Sequence, residues 1–243
     1  MRRAGKIAAA ARLEAGKMVT VGATTRSINK KVHDFIISHG AVPAFLNYNG
    51  FPASACISIN EQVIHGIPSE RKLIFGDVVS IDVGAVKDGF VGDCAATYIA
   101  GDGSAESERL IKITRECFYE GLKFARVGYR ISDISRAIQQ HAESHGYSVV
   151  KEFVGHGIGS KMHEPPEVPN YVETPRKKAD PRLFPGMTLA IEPMINAGNE
   201  GIRILDDGWT VVTIDGKTSA HYENTILITE DEPEILTVCE VLT

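Results

Sequence analysis

No Cys-x-x-Cys pair occurs in this chain, and its four cysteines (Cys56, Cys94, Cys117, Cys239) follow no framework spacing. That excludes a zinc knuckle and a disulfide-stapled scaffold, and a reduced, cytoplasmic setting is expected. There is no apolar run long enough to span a bilayer, no secretory leader and no Asn-x-Ser/Thr sequon. Charge of neither sign dominates: 26 Lys and Arg stand against 31 Asp and Glu, a formal net charge of −5. Such a balance supplies no field for a specific nucleic-acid site or an anionic membrane. The basic triplet Arg176-Lys177-Lys178 sits in a Pro-bounded loop and reads as solvated, with a docking patch for an acidic partner as the alternative. No linker or low-complexity stretch divides the 243 residues, 43% of them hydrophobic, so one catalytic domain over 1–243 is expected.

What the chain does have is a repeat. Val21-Gly22, Ile28 and Ser38-His39-Gly40 recur as Val127-Gly128, Ile134 and Ser144-His145-Gly146, at one constant offset. Val63-Ile64-His65-Gly66-Ile67 is echoed by Val154-Gly155-His156-Gly157-Ile158. The run from Gly76 to Asp82 is echoed by Gly186 to Glu192, and Asp93 by Glu223. Self-similarity of this kind indicates a duplicated fold and not a short-period solenoid. The expected halves are approximately 1–104 and 105–243, interlocked because each carries only part of an acid cluster.

Helices are predicted over 1–16 and 26–39, with Thr24 or Thr25 as the second cap and Gly40 as its stop. Apolar, β-branched runs at 54–60, 78–86 and 90–99 read as strands. The pattern restarts with helices near 105–124 and 131–145, the latter capped at Ser132. Strands follow near 149–155, 187–195, 202–206, 209–214 and 221–229. Helix, helix and antiparallel strands, twice over, give an α+β or α/β class. Helices should cover one side of its sheet, with a site on the other.

The acids are the informative part. Asp88-Gly89 signals a two-residue hairpin turn. Pairing Lys87 with Phe90 sets Asp82 opposite Ala95, so Asp93 lies diagonal to Asp82 on the same face, about 7–8 Å away or less. Carboxylates so placed repel unless one is protonated or a cation lies between them. Their flanks, VVSIDVGAV and GFVGDCAATY, argue against a solvent-facing pair. Glu192 in TLAIEPMI and Glu223 in HYENTILIT pose the same problem, since an ionised acid in an apolar run is costly unless compensated. His156, hemmed by Gly155 and Gly157, joins them as a candidate ligand. Five carboxylate-dominated donors suit a pair of hard or borderline divalent ions, and a two-ion site commonly activates water for hydrolysis.

These residues, with His65-Gly66-Ile67-Pro68, GHGIG followed by Met162-His163-Glu164-Pro165-Pro166, Ile191-Glu192-Pro193-Met194 and Tyr222-Glu223-Asn224-Thr225, resemble the type I methionine aminopeptidases of bacterial type. The resemblance covers nearly the whole chain. It implies the pita-bread fold, an α+β arrangement of two helix-helix-strand halves around a curved antiparallel sheet. It implies removal of methionine from peptide and nascent-protein N-termini when the second residue is small. Asp82 would hold one ion and His156 with Glu192 the other, with Asp93 and Glu223 bridging. The ions are cobalt, manganese, iron or zinc, since the same ligands accept each.

In catalysis the resemblance makes Glu192 the proton shuttle, has His163 donate to the developing oxyanion, and places His65 at the scissile amide. Phe45, Tyr48, Phe51, Cys56, Met162 and Trp209 would line the methionine pocket. Phe45 and Met162 depart from the family pattern, where cysteine and phenylalanine are frequent. Asn60 and Ser219 resemble positions flanking a monovalent cation. A monomer is expected, with ribosome contact left open. GHGIG with the following His163-Glu164-Pro165-Pro166 also resembles Xaa-Pro peptidases of the same fold, and a catalytically inactive peptide-binding relative is the third reading. HGIP, the short length and Asp207-Gly208-Trp209-Thr210 favour the methionine enzyme.

Overall fold

Helix α1 (Arg2–Lys17) has no side-chain cap, and an alanine-rich face (Ala4, Ala8, Ala11, Ala15) is buried. Small side chains let it lie close on the sheet beneath. Helix α2 (Thr25–Ser38) starts where Thr24 accepts the Ser27 amide at 3.1 Å, one of the two caps expected. A computed structural model describes residues 1–173 and 180–238, so the triplet Arg176-Lys177-Lys178 and Cys239 lie outside the described residues.

Next come β1 (Val42–Pro43), a 3-10 turn at Tyr48–Gly50, β2 (Cys56–Ile59) and β3 (Gln62–Ile64). The long hairpin of β4 (Val78–Lys87) and β5 (Phe90–Ile99) follows. Helices α3 (Ala105–Leu122) and α4 (Ile131–Ser144) precede β6 (Ser148–Val149), β7 (Gly155–Gly157) and β8 (Glu164–Val168). Then come β9 (Thr188–Ile191), β10 (Met194–Asn196), β11 (Ile202–Ile204) and β12 (Val211–Thr213). The last strands are β13 (Ser219–His221), β14 (Asn224–Leu227) and β15 (Glu234–Ile235).

Among the described residues every paired strand runs antiparallel. Helices α1 and α2 pack with β2, β4 and β5 around Ile28, Val32, Ile36, Ile57 and Ile81. Helices α3 and α4 close a second core around Phe118, Ile134, Ile138, Leu189 and Ile226.

The β4–β5 register is the one the turn demands. Lys87 faces Phe90 and Asp82 faces Ala95, with Asp88 and Gly89 at φ 52° and 78° in the turn. Positive φ at both positions is the type I′ signature that Asp-Gly tolerates.

Four expected elements differ, the first being the run 149–155, which is strand only at its two ends, in β6 and β7. Helix α4 is not capped by Ser132: Arg130 occupies the cap position, and its amide bonds Asp133 at 2.9 Å. Ser132 instead gives its amide and hydroxyl to Asp180 at 2.9 and 3.0 Å, so a distant carboxylate satisfies the orphan donors. The run 187–195 also breaks between β9 and β10, because Pro193 has no N–H to continue a ladder. Opposite it, 221–229 breaks at Tyr222-Glu223.

Both breaks preserve register. Ile191 pairs with Asn224 and Met194 with His221, so Glu192 falls opposite Glu223. On its other side Glu223 exchanges backbone bonds with Ala95, at 3.2 and 3.0 Å. Ala95 in turn faces Asp82, and Asp82 faces Cys56. Cys56, Asp82, Ala95, Glu223 and Glu192 therefore form one row across five strand segments. Residues in such a row share a face, and Asp93, two positions from Ala95, shares it too.

Candidate metal centre and its apolar pocket

Ligand atoms of Asp93, His156 and Glu223 lie within 4.8 Å of one another, as do those of Glu192, His221 and Glu223. Glu223 belongs to both groups. Asp82 belongs to neither but adjoins them on the same face of the β4–β5 hairpin, diagonal to Asp93. Asp82 Oδ1, Asp93 Oδ1 and Glu223 Oε1 are buried without a hydrogen-bond partner among the described residues. A buried acceptor left unmatched costs about 1–3 kcal/mol, more if charged. Three in one cluster, all carboxylate oxygens, fit divalent cations.

Electrostatics agree with the geometry. Burial first, then the charges of Asp93 and Glu192, push the Asp82 carboxyl well above its usual range. Burial lifts Asp93 to about 7. Glu192 is raised by burial and by Asp93, and Glu223 by burial and then Asp93, Asp82 and Glu192. Burial and the neighbouring His163 bring His156 down to about 4, so its imidazole is neutral and ligand-ready at pH 7. His156 Nδ1 faces the Gly157 carbonyl at 2.8 Å, which leaves Nε2 toward the acids, 3.6 Å from Glu192 Oε1. The flanking glycines are sterically required. A Cβ on Gly155 would meet the Ala190 carbonyl oxygen at 2.4 Å, and one on Gly157 the Pro165 oxygen at 2.3 Å.

These shifts set a pH dependence for the metal-free protein. An acid whose folded pKa is raised stabilises the fold below its unfolded pKa and loses that contribution as pH climbs through the folded value. For Asp93 the loss spans the range from about 4 to about 7, and the other three acids, also raised, act in the same direction. Above pH 7 the depressed histidines are neutral in both states and contribute nothing. Chelated protein should therefore lose Tm as pH rises through about 7, at about 2–4 °C per kcal/mol for a chain this size. Saturating divalent ion should abolish the slope. A flat profile after chelation would clear the acid cluster of any destabilising role.

His65 sits at φ 58°, a left-handed conformation that costs a non-glycine residue roughly 1 kcal/mol or more. Gly66 holds it there by packing against β2: its carbonyl accepts the Ile57 amide at 2.9 Å, and its amide meets Ser58 Oγ at 3.1 Å. Burial and His163 bring His65 down to about 4. The ring stands edge-on to Phe153 at 5.5 Å and to Trp209 at 6.4 Å. His163 lies at the exposed mouth, its ring 4.2 Å from that of His156 and its Nδ1 2.7 Å from the Tyr48 hydroxyl.

Phe45, Phe51, Cys56 and Met162 are buried in one apolar cluster, with Tyr48 and Trp209 packed against it. All six expected pocket residues thus come together beside the acids. Trp209 is set by the Asp207 turn, whose carboxylate accepts the Trp209 and Thr210 amides at 2.8 Å. Phe45 and Met162 lie over Gly84, which faces Asp93 across the hairpin. Of the two residues expected to flank a monovalent cation, Ser219 donates its amide to the Asn60 carbonyl at 2.9 Å. Sequence reasoning missed His221. Its position two residues before Glu223, hence on the same face of an extended segment, was the available signal.

A sequence model of metallopeptidase family M24 matches residues 1–230. The methionine aminopeptidase of Clostridium perfringens is 52% identical over 238 residues, 98% of this chain and 94% of the relative. Methionine aminopeptidase 1 of Bacillus subtilis is 48% identical over 237 residues, 98% and 94% of the two chains. The crystal structure of methionine aminopeptidase from Rickettsia prowazekii is similar at TM-score 0.94 and 44% identity, over 98% of this chain and 95% of that one. Prolidase from Pyrococcus furiosus, 23% identical at TM-score 0.78 over 98% of this chain and 63% of its own, is alike in fold alone.

Proposed function

This chain belongs to metallopeptidase family M24, and on that premise we propose that it is a type I methionine aminopeptidase of bacterial type, which removes methionine from peptide and protein N-termini. Its fold is the α+β pita-bread arrangement. Residues 1–243 act as one catalytic domain, with halves at approximately 1–104 and 105–243 and a cytoplasmic setting. The observation that carries the reading is the row placing Asp82, Glu223 and Glu192 on one face beside Asp93, His156 and an apolar pocket.

Two divalent ions fit the donor set. Asp82 would hold one, His156 and Glu192 the other, and Asp93 and Glu223 would serve both. When bound, they supply Lewis acidity and a water acidic enough to react near neutral pH. A monovalent cation beside Asn60 and Ser219 belongs to the same reading. The chain's own groups do the rest. Phe45, Phe51, Met162 and Trp209 receive the thioether, which gains from aromatic edges. His65 contacts the scissile amide, and Glu192 takes up and returns a proton. His163, oriented by Tyr48, donates to the carbonyl oxygen as it gains charge. The complete donor set favours this reading over an inactive binding module.

The second residue of the substrate should be small. Once the amino group and first carbonyl are fixed, the next side chain points at a wall formed by His65 and the GHGIG segment. Crowding there costs roughly 1–3 kcal/mol, or about 5- to 150-fold in rate. Comparison of kcat/KM for Met-Ala-Ser, Met-Lys-Ser and Leu-Ala-Ser tests both ends of the site. Equal rates for Ala and Lys would remove the case for methionine excision, and faster cleavage of an Xaa-Pro peptide would transfer the chain to the proline-directed enzymes.

A further inference from the structure

His221 is 2% exposed, yet its Nε2 has no hydrogen-bond partner among the described residues. That atom lies 3.9 Å from Glu192 Oε2 and 3.8 Å from Glu223 Oε2. Both distances are about 0.9 Å beyond a formed N–H···O bond, so a small shift of either carboxylate closes one. The backbone cannot drift away to relieve the contact. The His221 amide bonds Thr97 Oγ1 at 3.0 Å, and that hydroxyl returns to the His221 carbonyl at 2.8 Å. Thr97 is itself tied to Ser80 at 2.8 Å.

The oxygens involved are distinct. Glu192 turns Oε1 toward His156 Nε2 and Oε2 toward His221. Glu223 leaves Oε1 unmatched and turns Oε2 toward His221. A carboxylate that spends one oxygen on a cation still needs a donor for the other when it is buried. We infer that His221 is a positioning residue of the metal centre, whose Nε2–H serves the outer oxygen of Glu192 and fixes the rotamer in which it meets a divalent ion. The inference rests on the two-ion reading above and adds to it a group outside the five proposed ligands. Loss of such a donor typically weakens metal binding by 10- to 100-fold.

The test is calorimetric titration of chelated protein with manganese(II), together with the visible spectrum of the cobalt(II) form. His221→Leu keeps apolar volume and removes the donor; His221→Gln restores an N–H at similar reach. Both variants are first shown to melt cooperatively. Manganese should bind His221→Leu about 10- to 100-fold more weakly and His221→Gln within about 3-fold of the unaltered protein, with the cobalt spectrum of the Gln variant unchanged. Unaltered affinity in His221→Leu overturns the inference. So does an equal loss in both variants with a changed cobalt spectrum, which would make the imidazole a direct ligand. Failure of the unaltered protein to take up manganese would instead overturn the two-ion reading itself.

Discussion

Asp93→Asn and Glu223→Gln are each expected to end peptide hydrolysis and to lose both divalent ions together, while the chain still folds. Each residue is proposed to serve two ions, so one neutralised side chain loosens both. The change is nearly isosteric, and Asp93 and Glu223 already sit under strong pressure to be uncharged. Without metal, replacing either by an amide relieves like-charge repulsion along the row, so Tm of the chelated variants should equal or exceed that of the chelated parent. Metal content by elemental analysis, turnover of Met-Ala-Ser and thermal melts settle the matter. Full turnover with normal metal content in either variant would sink the bridging assignment.

His163→Ala should lower kcat by on the order of 100-fold or more while leaving KM nearly unchanged. The hydrogen bond proposed for it strengthens only as the carbonyl oxygen gains charge, so its loss acts on the transition state. The Tyr48 hydroxyl at 2.7 Å from Nδ1 adds a control. If the phenol donates to Nδ1, the ring carries its proton on Nε2, the tautomer that can serve an oxyanion. Tyr48→Phe should then reduce kcat in the same direction by a smaller factor. A raised KM with kcat intact in His163→Ala would reduce the residue to a ground-state contact.

The sheet was legible wherever a turn announced itself. Asp88-Gly89 set the register of β4 and β5 and so the relation of Asp82 to Asp93. Apolar flanks marked Glu192 and Glu223 as costly acids, but not that they stand opposite each other. That fact depends on two breaks facing across one hairpin, of which Pro193 signals only the first. The cap of α4 was misread because its acceptor, Asp180, is far away in sequence. His221 escaped for a related reason: an alternating pattern records which face a residue shares but not which distant side chains converge there. The six residues proposed to line the pocket were named through family resemblance alone, since no periodicity distinguishes Phe51 or Met162 from ordinary core.

The bonds joining Ala95 to Glu223 have a consequence for cohesion. Asp93 and Thr225 are likewise linked, amide to hydroxyl at 3.0 Å and hydroxyl to carbonyl at 2.9 Å. Thr97 and His221 complete the series. This stitching is the seam along which the two proposed halves meet, and the acids on it come from both. An ion held there works as a rivet: it binds only when both edges are in place, so its binding energy becomes adhesion between them. At 100 times Kd that adhesion is about 2.7 kcal/mol. Chelation should unzip this seam before either helical core, and the amides of Asp93, Ala95 and Glu223 should be the first buried ones to exchange with solvent deuterium.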